Sequence, residues 1–355
     1  MPVNIPMLRR GIRRLLARRA VDIRELALRK WTLCPAESML TPPAIHLPGA
    51  MEKIISLSPW RTRAVEQGLV DGGSAEHAAS TGHLLKDVDI VGPCLYAGAA
   101  KSQPGFGTEP RLLRGLGSRQ QLDDAHLATS NSGSHFFGTL MLDDFPLALL
   151  PESTDKLITM DSQPYAHEAA YRSLLQLPAT KHVRRGRIKR LMIYTDFAQN
   201  SLKEKRYRTL RANLRGTLAA NPTPPAPGVY IRRGNTGERR VVLNEDNVER
   251  ALEERGFRII DLTQMDAEAI AIQSIDARIV VGVEGSHLSH GIFSAHDNAT
   301  FVVIQPPQRF AMAYKEFTDR MGMRFAFLVG EPDPRGFTVS IDDLHQLLDM
   351  VERAA

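Results

Sequence analysis

From residue 229 to the end of the chain, short apolar runs alternate with segments of helical length, and this alternation constrains the fold more than any other feature. Val229 to Ile231, Phe257 to Leu262, Ala277 to Val283, Phe301 to Gln305 and Phe325 to Val329 read as strands. Asn247 to Arg255, Ala267 to Ile275, Ser289 to Ser294, Phe310 to Met321 and Ile341 to Arg353 read as helices. Gly256 ends the first of these helices, and Pro306 and Pro307 close the fourth strand. Such alternation predicts an α/β fold, a parallel sheet with helices on both faces. The strands are continuously apolar rather than alternating, which fits burial on both sides. Ligands of such sheets bind beyond the carboxyl ends of the strands. The residues just after Ile231, Val283 and Gln305 are therefore where chemistry is expected.

A chain of 355 residues exceeds the roughly 250–300 that one core usually supports, so two domains are expected. The run from Asn221 to Gly228, with prolines at 222, 224, 225 and 227, can be neither helix nor central strand. It reads as the connector between a domain spanning 31–220 and one spanning 228–340, with 341–355 as a closing helix. The first domain is less regular. Residues 31–100 carry short apolar runs broken by Pro and Gly, and 101–134 are polar and rich in Gly and Ser. Helices are expected at His135 to Leu150, Ala166 to Leu177 and Lys203 to Leu214, with strands at Lys156 to Met160 and Ile188 to Tyr194.

With 43% hydrophobic and 24% charged residues the chain is neither disordered nor fibrous. No run approaches the ~20 apolar residues that span a bilayer, and no secretory signal is evident. Cys34 and Cys94 cannot make a disulfide framework or a Cys-rich zinc module; isolated thiols fit a reducing compartment. The reading is a cytoplasmic protein. The formal net charge of +5 is concentrated at the front. Arg9, Arg10, Arg13, Arg14, Arg18 and Arg19 interleave with Ile5, Leu8, Ile12, Leu15 and Leu16, so residues 1–30 read as a basic amphipathic helix. Residues 5–19 would then touch an anionic membrane, peripherally at the inner membrane, or simply pack on their own domain. Without aromatic residues to stack bases, nucleic-acid contact is not expected there.

Three constellations stand out. Arg232, Arg233, Arg239 and Arg240 flank a Gly-containing turn after the first strand, with Asn244 and Glu245 beyond. Guanidinium forks match phosphate oxygens, so this is a diphosphate-shaped environment. A surface turn pairing with Glu238, Glu245 and Asp246 would have the same sequence. The second is Gly282 to Gly291, where Gly285 and Ser286 offer backbone to a ligand and Glu284 can bind a hydroxyl or act as a base. A nucleophile elbow around Ser289 fails because position 287 is His rather than Gly. His287 and His290 lack a third ligand at metal spacing, and no metal is expected. The third is His135 with Asp143 and Asp144, candidates for a general base or, equally, ordinary core and boundary residues.

Taken in order, Arg232-Arg233, Arg239-Arg240, Asn244-Glu245, Gly256-Phe257, the Gly282 to His290 loop and Phe293 resemble the pattern of family 61 glycosyltransferases, the DUF563 type, over roughly 228–310. His135 with its downstream Asp-Phe-Pro resembles the family's His-aromatic helix. The resemblance implies a GT-B architecture of two facing Rossmann-like domains. It implies inverting transfer of a sugar from a nucleotide-sugar, usually UDP-linked, to an acceptor hydroxyl, without a metal or other cofactor. Bacterial members of this type serve capsular or other surface polysaccharide synthesis, so the acceptor would be a glycan or a lipid-linked glycan. Donor binding would fall to Arg232, Arg233, Arg239, Arg240, Asn244, Glu245, Gly285, Ser286, His287 and Gln305, and catalysis to His135, Asp143, Asp144 and Glu284. The chain departs from the pattern at Glu284, where the family has His, at Ser286 and at Ser289-His290, and its fourth strand ends in Gln305 rather than Glu. A non-catalytic nucleotide-sugar or glycan binder is the main alternative. A nucleic-acid-binding protein, suggested by the basic N-terminus and the basic segment 203–215, is the lesser one.

Overall fold

The computed structural model describes residues 3–17, 20–112, 118–152, 154–219, 224, 226–234 and 240–354. It is a mixed α/β protein that divides into two units. The first comprises residues 1–36, 78–166 and 177–206, and the second 37–77, 167–176 and 207–355.

The second unit is built on a five-stranded parallel sheet. In chain order its strands are Gly228–Arg232, Arg258–Asp261, Ile279–Val283, Thr300–Gln305 and Arg324–Val329. In space the order is second, first, third, fourth, fifth. Side chains alternate between the faces, as the pleat requires. Tyr230, Val281, Val283, Val302, Ile304, Ala326 and Leu328 pack with Val248 and Leu252 of the Glu245–Glu254 helix. Leu344, Leu347, Leu348 and Val351 of the Ile341–Arg353 helix join the same core. Their spacing makes one apolar stripe of that helix, and Ser340 caps it by accepting from the Asp343 amide. On the other face, Gly291 lies against Ile231 and Val280. Helices therefore cover both sides, and the elements expected after residue 228 are present within a few residues. A short hairpin of Glu331–Asp333 and Gly336–Thr338 adds to them.

The division is not the single cut expected near residue 221. Segment 37–77 belongs with the second sheet because it borders the sheet's edge strand. Ile45 N–H donates to Phe325 O at 2.9 Å, Phe327 N–H donates to Ile45 O at 3.0 Å, and Ser58 N–H reaches Phe310 O at 3.0 Å. An edge strand leaves backbone groups unpaired, and this strap pairs them. The Glu168–Leu174 helix joins the same unit.

The first unit holds a mixed sheet of eight strands among the described residues. Ser80–Val91 and Arg185–Thr195 run antiparallel at its centre, while Gln120–Leu127 and Leu157–Thr159 continue in parallel. The parallel pattern expected for a second Rossmann-like sheet is interrupted here by a hairpin. Gly92, at φ +57°, turns Ser80–Val91 back into Cys94–Ala97. The helix expected over 135–150 begins instead at Asn131, capped by Ser130, and breaks at Phe136, whose backbone is extended. It resumes as Phe137–Thr139, a wider turn at Leu140–Asp144, and Phe145–Ala148. Pro146 has no amide to bond back one turn, which accounts for the widening.

Much of the positive charge of the Ser201–Leu218 helix is turned inward, while Lys205 and Arg208 stay exposed. Lys203 is fully buried and its Nζ lies 2.5 Å from Asp143 Oδ1. Arg206 makes a bidentate pair with Asp196 at 2.7 and 3.0 Å. In the second unit, Arg211 donates to the carbonyls of Ile292 and Ala295 and to Asp297. Lys203, Arg206 and Arg211 are thus engaged within the protein. Breaking a buried ion pair costs more than deleting it, because the survivor is left charged in a poor solvent. Lys203→Met should therefore destabilise the protein by about 3–5 kcal/mol in urea unfolding. Lys203→Met with Asp143→Leu should regain most of that loss. A double variant as unstable as the single would show that the pair itself, and not the stranded charge, carries the effect.

Candidate functional site

The strand order of the second unit creates one crevice. Connections leave the first and third strands in opposite directions, so their carboxyl ends splay apart at that point. The loop after the first strand carries Arg232 and Arg233, and the loop after the third carries Glu284 to His287.

Successive strand residues point to opposite sides, and this separates the two arginines. Arg232 is engaged by carboxylates, with Nε and Nη2 each 2.6 Å from Glu249 and Nη1 3.5 Å from Asp261. Arg233 turns to the other loop. Its Nη1 donates to Glu284 O at 3.2 Å and lies 3.4 Å from His287 Nδ1. Arg240 converges on the same place, donating through Nη1 to Glu284 O at 2.6 Å and pairing with the Glu284 carboxylate at 2.9 Å. Arg309, which follows the fourth strand, adds a third positive field at Arg233. Burial, reinforced by Arg240, pushes the Arg233 guanidinium down to about 10. Arginine stays protonated, so the shift reflects how strongly burial at this place disfavours a charge. The Glu284 carboxylate pairs with Arg240 beside it.

Gly285 makes the approach feasible. Its φ of +149° is one that side chains rarely adopt, and a Cβ there would run into the Arg233 guanidinium and lie 2.7 Å from Arg240 Nη1. Ser286 follows, half-buried, at the start of the short turn Ser286–Leu288. His287 is buried, and burial, with Arg233 next, holds it well below the usual imidazole range. His290 is also buried. Its Nδ1 is 2.8 Å from Tyr171 Oη and its ring meets His167 edge-on at 5.0 Å. Burial lowers its pKa to about 3. Ser289 and Tyr314 share a hydroxyl contact of 2.5 Å beneath the loop.

Of the residues singled out from the sequence, Arg233, Arg240, Glu284, Gly285, Ser286 and His287 are brought together. Arg232, Asn244, Glu245 and Gln305 are occupied elsewhere. Asn244 clamps the backbone of Val339 at 2.8 and 2.9 Å, Glu245 accepts from Tyr230 Oη at 2.8 Å, and Gln305 holds both backbone groups of Ala311. Arg239 lies outside the described residues. Arg309, His290 and Tyr314 were not singled out for donor binding. Arg309 carried a usable signal, since it follows a strand end already marked for chemistry.

His135, Asp143 and Asp144 belong to the first unit. His135 is half-buried, with Nδ1 2.7 Å from Asn131 O and its ring edge on Phe106. Asp144 accepts from the Ser130 amide and lies against Gly133. Asp143 is paired with Lys203, and burial raises its pKa against that pull. Asp143 and Asp144 border a cavity of about 360 Å³ that Asn131, Lys101, Tyr194 and Asp196 also line.

The buried imidazoles carry a pH signature. His290 is neutral in the folded protein down to about pH 3, whereas an unfolded imidazole titrates near 6.5. Between those values the unfolded chain holds the extra proton, so stability is full above about 6.5 and falls as pH drops. His290→Gln should remove about 2 kcal/mol of the stability lost between pH 6.5 and 5 in urea titrations. Identical pH slopes for the two proteins would contradict burial of a neutral imidazole.

No curated protein matches the chain. Among solved structures it shows 10% identity to the metal-soaked Flv1 flavodiiron core from Synechocystis sp. PCC6803, covering 78% of this chain and 65% of that one. The TM-score is 0.27, too slight a likeness to inform the fold. Residues 135–303, which include both loops of the crevice, match the family model described as Glycosyltransferase 61, so it is to that family that this stretch of the chain is similar.

Proposed function

We propose that the protein is a glycosyltransferase whose second unit binds the diphosphate of a nucleotide-sugar at the crevice between the Arg233 and Glu284 loops. The convergence of Arg233 and Arg240 on the Glu284–Gly285 turn is the observation that carries the reading. The family match over 135–303 supports it independently. In glycosyl transfer the departing diphosphate gains charge as the anomeric bond breaks. Fixed guanidinium groups are strongest where water is excluded and charge develops. We assign that work to Arg233 and Arg240, assisted by Arg309, and assign none of it to a metal. Glu284 serves as the resting counterion that the donor displaces. The GT-B arrangement, an inverting course and a UDP-linked donor are further parts of the proposal. So is a role in bacterial surface polysaccharide synthesis.

The base for the acceptor hydroxyl we place in the first unit, which carries His135, Asp143 and Asp144. Both carboxylates are engaged with Lys203 or backbone amides, so His135 is the preferred base for the acceptor hydroxyl. Loss of turnover with intact donor affinity in His135→Ala is the mark of that role.

A binding module without turnover is the second reading. It is favoured by the Arg240–Glu284 pair, which satisfies part of the positive charge within the protein. Transfer or hydrolysis of a labelled donor by the purified chain separates the two.

Charge-assisted hydrogen bonds contribute about 1.5–3 kcal/mol each. Arg233→Ala should therefore weaken UDP binding in calorimetry by about 10- to 150-fold. Unchanged affinity would remove the diphosphate from this crevice. Glu284→Gln separates competition from contact. Neutralising the resting counterion should tighten UDP binding by about 5- to 30-fold. Weaker binding would instead assign Glu284 to the donor's hydroxyls.

A further inference from the structure

We propose that the Ile5–Ala17 helix docks the protein on an anionic lipid surface. At 100° per residue, Leu15, Leu8, Ile12, Ile5 and Leu16 fall on one stripe about 100° wide. That stripe faces away from the protein. Leu15 and Leu16 are 81% and 79% exposed, and Ile12, Ile5 and Leu8 follow at 55%, 51% and 46%. The helix rests on its own unit by a different side, where Met7 packs against Val91, Cys94 and Tyr96 while Pro6 and Arg10 are half-buried. An amphipathic helix that only completed a core would turn its apolar stripe inward; this one turns it to water.

Charge selects the occupant. The helix holds Arg9, Arg10, Arg13 and Arg14 and no acidic residue. Arg9 and Arg13 border the apolar stripe and are exposed. A second copy of the helix would bring like charges together along the shared seam. A nucleic acid would meet the arginines but leave the leucines in water. An anionic bilayer satisfies both, with acyl chains for the stripe and headgroup phosphates for its border. Thirteen residues are too few to span a membrane, so the helix lies in the interface. Among the described residues no helix is long and apolar enough to cross a membrane.

The test is co-flotation of the full chain with phosphatidylcholine vesicles, with and without phosphatidylglycerol. Binding should require the anionic lipid and weaken with salt. Leu15→Ser with Leu16→Ser should lower partitioning by about 100-fold, and Arg9→Gln with Arg13→Gln by about 25-fold. All four side chains are exposed, so thermal unfolding should not change. Failure to bind either vesicle would overturn the proposal, as would binding that survives the leucine changes. A dimer in sedimentation that the leucine changes dissolve would overturn it too, by assigning the stripe to a second copy.

Discussion

Two guanidinium groups brought to one backbone turn, beside the Glu284 carboxylate, set the character of the second unit. Like charges in a partly desolvated place repel, and the fold must hold them there against that repulsion. It does so with geometry fixed elsewhere. The strand order opens the crevice, the alternation of the pleat sends Arg233 inward while Arg232 turns to Glu249, and the missing Cβ of Gly285 lets the guanidinium groups reach the backbone. Remove any one of these and the arginines would relax to solvent or to ordinary carboxylate partners. The proposed diphosphate site rests on this gathering of guanidinium groups at a strand-end crevice.

The contrast with the protein's other buried cations sharpens the point. Lys203 has Asp143, Arg206 has both oxygens of Asp196, and Arg211 has two carbonyls and Asp297. Each is matched locally, as buried charge must be. Burial, with Arg240 next, lowers the pKa of Arg233, whereas Arg232, bonded to Glu249, has its pKa raised. Two adjacent arginines thus differ in role because the pleat gives them opposite surroundings.

The same contrast explains what was legible in the sequence. The parallel sheet was readable because each strand is a continuous apolar run between helices. The candidate crevice lies where two of those strands end. Which arginines point into the crevice was not readable, because the choice depends on pleat phase and on Glu249, whose carboxylate is brought round by the Glu245–Glu254 helix. Asn244 and Gln305 looked like ligand groups because they are polar at strand ends; they are backbone clamps, a use that leaves no mark in a single sequence. In the first unit, Ser80–Val91 was legible only in its second half, as an irregular apolar run, because Lys86 and Asp87 interrupt it, with Asp87 in a left-handed conformation. The strap at 37–77 was assigned to the wrong unit because its allegiance rests on backbone hydrogen bonds to an edge strand, to which side-chain identity contributes little.

In the proposed transfer, Glu284 is the residue on which the chemistry turns. Where the resembling family has a histidine, this chain puts a carboxylate against Arg240. Its attraction to Arg240 competes with that of any diphosphate, so affinity for the donor is the difference between two similar interactions rather than the full strength of either. A phosphate group prevails because it offers more charge and more acceptor oxygens than a carboxylate. On the proposed reading, a donor that displaced Glu284 would leave it close by, negatively charged and no longer paired with Arg240. That placement suits it to accept hydrogen bonds from a sugar hydroxyl, and the counterion of the resting site then becomes a specificity group of the loaded one.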